Sequence, residues 1–315
     1  MFSMWGMVKR KRSILARAGA AALFLLAVQV QGFGTDARAN AVSWQPAKVV
    51  PGSAVLFQVR VPPDVREVSG KWLGHTIKFS SLPAKGMFYG LAGTPVETAP
   101  GSCDLELTGT RAHGAFRYVK RIKIAPAHYP KVSVRVSKQF TEPDPEQLKK
   151  IAADKEIKKT VFSKGNESQL WEGDFEAPVN APVSDVFGTE RVFNGAVQSR
   201  HLGMDYAVPA GTPVHAINRG TVILAQPLYF EGGFVVVDHG QGIMSLYLHL
   251  SEFKVKEGDE VAAGDLIALS GGSGRATGPH LHLAVRWQGV YLDPAAVLKL
   301  EIPKNVAPKD SNPRK

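Results

Sequence analysis

Residues 278–285 read GPHLHLAV, and they decide how the rest of the chain is understood. Side chains along an extended strand point alternately to opposite faces. His280 and His282 therefore project together, while Leu281 and Leu283 turn the other way into apolar packing. Two imidazoles fixed side by side next to a core are costly to hold if both are charged. They call for a partner that favours the neutral ring.

The same texture continues outward from this stretch. TPVHAINRGTVILAQP (212–227), GGFVVVDHG (232–240), IMSLYLHLS (243–251) and EVAAGDLIALSGG (260–272) are short β-branched runs broken by Gly turns. No helical periodicity of useful length interrupts them, so an all-β domain is expected over 181–300. Six of the nine histidines fall between His201 and His282. Within that span HLGMD spaces His201 and Asp205 four apart, and YLHL places His249 two after Tyr247. Imidazole and carboxylate are ligands that zinc favours, and a catalytic zinc takes three protein ligands and leaves one position open. His201, Asp205 and one histidine of the HLH pair supply that count. The remaining histidines are then free for acid–base work. There is no HExxH helix to offer a glutamate base.

Taken together and in order, RHLGMDYAVPAGTPVHA, GTV, VVVDHGQGIMSLYLHLS and VKEGDEVAAGDLIALSGGSGRATGPHLHLAV resemble the lysostaphin/LytM-type zinc metalloendopeptidases, over most of residues 183–298. The resemblance implies a barrel-sandwich (duplicated hybrid motif) fold and hydrolysis of peptidoglycan cross-links. It implies one Zn2+ held by His201, Asp205 and His282. It also implies that His249 and His280 flank the attacking water as the catalytic pair, with base and donor roles left open between them. Zinc brings the pKa of a water to about 7, so hydroxide is available at neutral pH. Neutral ligand histidines are required, and activity is expected to fall below about pH 6, near the imidazole pKa. All five positions are filled. That favours an enzyme over the alternative from another class, a non-catalytic LytM-like wall-binding module that activates a separate amidase.

Other residues near these motifs have plainer readings. His215 and His239 are read as structural. Tyr247 shares the face of His249 by simple alternation and is a candidate lining of the cleft. SGGSGRATG (270–278) precedes a strand, so it is a cleft wall and not a phosphate cradle, which needs a helix N-terminus. Arg200 and Arg275 are candidates to meet peptide carboxylates. VKEGDEVAAGDLIALS also looks like half of a lipoyl or biotinyl carrier, but no lysine occupies the place such carriers modify.

Upstream the chain divides differently. KRKR (9–12), an apolar AGAAALFLLAVQV (18–30) and ARA (37–39) form a secretory signal over 1–39, with cleavage before Asn40. Contact with a membrane is then only transient, and export to a periplasm is expected. Of the formal +10, the segment 1–39 carries +5, leaving a mildly basic remainder suited to an anionic wall. No basic stripe with interleaved aromatics points to nucleic acid. The single Cys103 has no partner in the chain and reads as a small hydrophobe. Residues 40–130 alternate as strands and turns and are expected to form a small β-sandwich. Residues 131–180 are read as a strand, a helix opening at Asp144–Pro145 and a polar linker over 163–180. Residues 301–315 are read as a disordered tail. Regulation of the peptidase domain by the N-terminal domain or the connector is a further possibility.

Overall fold

A computed structural model describes residues 42–195 and 197–304. Segment 1–39, expected to be a secretory signal, lies outside the described residues. Among those described, no helix is long and apolar enough to cross a membrane.

The fold is mainly β. Two four-stranded antiparallel sheets make an N-terminal sandwich. One has the order Val42–Gln45, Ala54–Arg60, Met87–Gly93, Ser80–Leu82; the other His75–Lys78, Val65–Trp72, Gly101–Arg111, Ala115–Ile124. Phe57 meets Trp72 edge-on at 5.4 Å between ring centroids, in a core with Ile77, Leu105, Leu107 and Ile122. The strand Met87–Gly93 is buried along its whole length rather than alternately. The reason is that the C-terminal part covers its second face. A Cβ on Gly93 would sit 2.5 Å from Leu292 and 3.1 Å from Trp287, so only glycine allows this approach. The cores of both parts form one continuous cluster.

The C-terminal part is built on a large antiparallel sheet, in the order Val183–Asp185, Met204–Tyr206, Leu281–Trp287, Ile243–Leu250, Gly232–Gly240, Gly220–Leu228 and Glu260–Val261. A smaller sheet, Pro213–His215, Leu266–Leu269 and Glu252–Phe253, lies beside it. One face of the large sheet contributes Val235, Val237, Tyr247, Leu281, Leu283 and Val285 to the main core. The opposite face contributes Leu224, Val236, Leu246 and Ala284 to a second cluster.

Helix Pro145–Ser163 covers that second cluster. It opens with a capping box: Gln147 N–H donates to Asp144 Oδ1 at 2.8 Å, and Asp144 N–H donates to Gln147 Oε1 at 2.9 Å. Only its C-terminal half touches the sheet, through Ile157, Val161 and Phe162. This explains why its sequence looks solvated throughout. Two expectations are corrected here. Residues 163–180 are not a polar linker, because Trp171, Phe175 and Val179 are buried in the main core, with Trp171 edge-on to Tyr89 at 5.8 Å. Nor are residues 301–304 a disordered tail. Ile302 is buried, its N–H donates to Asp174 Oδ1 at 2.8 Å, and Lys304 pairs with Asp174.

Candidate metal centre and active site

Asp205 and His282 face each other directly across two paired strands. Their neighbours in each strand, Met204, Tyr206, Leu281 and Leu283, belong to the core. The pleat therefore sends both side chains to the cleft face. His201 enters from the segment before Met204–Tyr206. His201 Nε2, Asp205 Oδ1 and His282 Nδ1 converge: the separations are 3.1, 2.7 and 3.0 Å. His201 Nδ1–H donates to the Val186 carbonyl at 2.9 Å, which fixes the tautomer and leaves Nε2 as a lone-pair donor toward the centre.

The electrostatics suit a divalent cation. Burial would raise Asp205, but the imidazoles of His201 and His282 packed against it outweigh that, so it is held well below the usual carboxylate range. Burial pushes His282 down, against the pull of Asp205. An ionised carboxylate with a neutral imidazole is the state that metal binding requires. The second oxygen of Asp205 is also engaged. Arg191 Nη2 donates to Asp205 Oδ2 at 2.6 Å and to Asp185 Oδ2 at 2.5 Å, and Asp185 Oδ1 accepts from Thr189 and from Val186 N–H. Oδ1 is thereby left facing the histidines. Arg191 and Asp185 were not anticipated from the sequence; the sole hint was a charged residue inside the alternating run ERVF.

His249 and His280 stand next to this trio. Their ring centroids are 4.6 Å apart, and His249 lies 6.1 Å from His282. Each donates Nδ1–H to a backbone carbonyl at 2.8 Å, His249 to Ser273 and His280 to Gly278. Each Nε2 is therefore available on the site side, and that of His280 is 3.8 Å from Asp205 Oδ1. Burial, with His282 and His280 nearby, pushes His249 down to about 3.

Tyr247 is not at the site, which corrects the expectation from alternation. It is fully buried, and its hydroxyl accepts from Ile217 N–H at 2.9 Å. The reason is a bulge. His249 adopts φ +65°, and the register slips between Gly233 and Val235. Leu248 and His249 consequently both face the cleft, while Tyr247 and Leu250 face the core. A non-glycine residue at positive φ in a strand is a strained placement of the kind found at functional sites.

Of the remaining candidates, the two histidines lie away from the centre and both arginines border the cleft. His239 is buried between Arg219 O and Ser245 Oγ, and His215 rests on Pro178 O. Arg200 is occupied by Glu190 at 3.0 Å and stacks over Tyr129. Arg275 lies in the cleft.

Two adjoining hollows flank the centre. One of about 360 Å³ includes Asp205, His280 and Val134; the other, of about 230 Å³, includes His201, His249, His282 and Phe162. Arg191, Phe193 and Arg275 line both. The wall that carries Arg191 and Phe193 is a hairpin, Glu190–Phe193 with Val197–Arg200, extended by the parallel strand Lys131–Val134.

The match with known proteins centres on this region. Residues 199–294 match the model of peptidase family M23. This stretch is a peptidase M23 domain. The peptidoglycan DD-endopeptidase ShyA of Vibrio cholerae is 43% identical over 103 residues, 33% of this chain and 23% of that protein. The DD-carboxypeptidase/endopeptidase Mpg of Neisseria meningitidis is 41% identical over 97 residues, 31% of this chain and 22% of that protein. The matched stretch thus spans about a quarter of the length of these M23 relatives. A crystal structure from Pseudomonas aeruginosa assigned to peptidase M23 superposes with a TM-score of 0.60 at 29% identity, over 80% of this chain and 95% of that one. That likeness extends well beyond the M23 segment into the N-terminal sandwich.

Proposed function

We propose that the chain is an exported zinc-dependent endopeptidase that hydrolyses D,D-peptide bonds in peptidoglycan stem peptides and their cross-links, in a periplasm. The observation that carries this reading is the convergence of His201 Nε2, Asp205 Oδ1 and His282 Nδ1 beside a second histidine pair, His249 and His280. The names of ShyA and Mpg support the substrate class, and Mpg adds removal of a terminal residue to cleavage within a cross-link.

The two nitrogens and one carboxylate oxygen fit zinc in type and number. His201, Asp205 and His282 would hold the zinc, which would lower the pKa of a water and polarise the scissile carbonyl. The chain's own residues do the rest. Arg191 keeps Asp205 turned so that Oδ1 faces the centre. The Val186 carbonyl keeps the His201 ring in its working tautomer. His249 and His280, with Nδ1–H anchored on backbone carbonyls, present Nε2 to the cleft. One takes the proton of the attacking water, and the other then supplies a proton to the developing oxyanion or leaving amine.

Elemental analysis of the purified chain tests the centre. One zinc per chain, lost on His282→Ala, is expected. A chain without zinc that still binds cell-wall sacculi would instead support the wall-binding activator.

A further inference from the structure

Arg275 stands at the junction of the two hollows and, among the described residues, makes no ion pair. Its guanidinium carbon lies over two aromatic rings, 4.7 Å from the centroid of Phe193 and 4.8 Å from that of Phe230. Phe230 is braced in turn by Phe140 and Tyr229, and Arg275 N–H donates to the Phe230 carbonyl at 2.8 Å. The nearby carboxylates are engaged elsewhere, except that Glu231 keeps its Oε2 without a partner. Glu231 pairs with Lys158, and Asp185 and Asp205 pair with Arg191. Among the described residues, none comes within ion-pair distance of Arg275. Burial disfavours its charge, the Glu231 carboxylate nearby partly offsets that, and Arg191 opposes it again. A half-buried, pre-oriented guanidinium with free donors is built to receive an anion, and its planar fork matches a carboxylate.

We propose that Arg275 is a specificity residue that binds the carboxylate on the carbon bearing the scissile nitrogen. This inference rests on the D,D-peptidase reading. A terminal residue removed from a peptide carries a free carboxylate at that carbon, and so does a cross-link whose nitrogen belongs to an α-amino centre with its carboxyl unblocked. Arg275 shares one hollow with His280 and the other with His249, so a carboxylate gripped there keeps the adjoining amide beside the centre. Arg191 already pairs with two carboxylates, which leaves Arg275 as the guanidinium of this wall without an ion pair. The chain thereby discriminates against amidated or oligoglycine linkages, which lack that charge.

The test uses two synthetic D,D-peptides that differ only in carrying a carboxylate or a carboxamide on the residue that supplies the leaving nitrogen. The zinc-loaded full chain is expected to favour the carboxylate peptide at least about 10-fold in kcat/KM, the range of a charge-assisted hydrogen bond. Arg275→Gln is expected to remove about 10- to 100-fold on the carboxylate peptide and to leave the carboxamide peptide unchanged. Arg275→Lys, which keeps the charge without the fork, retains part of the preference. Circular dichroism and thermal unfolding of both variants confirm the fold. Calorimetry of the same peptides on the chelator-treated chain reads the contact without turnover. Carboxylate-selective binding there, with no cleavage by the zinc-loaded chain, would uphold Arg275 and overturn the hydrolytic reading. Equal cleavage and equal binding of both peptides by the wild type, or an equal loss on both in Arg275→Gln, would overturn the specificity role.

Discussion

His239 gives the structure a measurable acid sensitivity that is separate from the site. The ring is fully buried, and burial pushes its pKa from 6.5 down to about 4. Its Nδ1–H donates to the Arg219 carbonyl at 2.7 Å, so the neutral ring must accept at Nε2 from Ser245 Oγ at 2.8 Å. The unfolded chain binds a proton near 6.5 and the folded chain binds it only near 4. Folding therefore gains from a neutral His239 above pH 6.5, and that gain is lost as pH falls from 6.5 through 4. The gap between 6.5 and about 4 is worth roughly 3 kcal/mol. His239→Asn keeps a donor toward Arg219 O and removes the titrating group. Urea unfolding of both proteins at a series of pH values, with chelator present to remove metal linkage, isolates the effect. The wild type should be the more stable at pH 7.5, and its advantage should shrink by roughly 3 kcal/mol by pH 4. An advantage that stays constant across that range would refute the buried-neutral assignment.

Three further outcomes are expected. Replacement of His201 or His282 by Ala, or Asp205 by Asn, abolishes zinc retention in elemental analysis, whereas His249→Ala and His280→Ala keep zinc and lose about 10²- to 10⁴-fold in turnover. Arg191→Gln weakens zinc about 10- to 100-fold in chelator competition, because Asp205 loses the contact that orients it. Trp171→Ala destabilises by roughly 3–5 kcal/mol in denaturant unfolding, since its side chain fills the core shared by both parts of the fold.

The alternation in GPHLHLAV was enough to put His280 and His282 on the cleft face and Leu281 and Leu283 in the core, because nothing interrupts the strand Leu281–Trp287. The same rule misplaced Tyr247. One residue at positive φ, His249, reverses the faces after it, and no local sequence feature marks a bulge at a non-glycine. The segment 163–180 read as linker because its three core anchors, Trp171, Phe175 and Val179, are spaced among polar residues without a period. They insert singly into a core made by other elements. Arg191 was hidden for a related reason. Its importance depends on a hairpin folding over Asp205, and that contact is tertiary, joining residues 14 apart through two strand pairings.

The most direct measurement is a digest of purified cell-wall sacculi with the chain from residue 40 onward, with and without chelator, the released muropeptides being separated by chromatography with mass detection. The account predicts chelator-sensitive loss of cross-linked dimers with a matching rise in monomers, the product masses placing the cut at a D,D bond. Unchanged dimers in the presence of bound zinc, across several wall types, would contradict it.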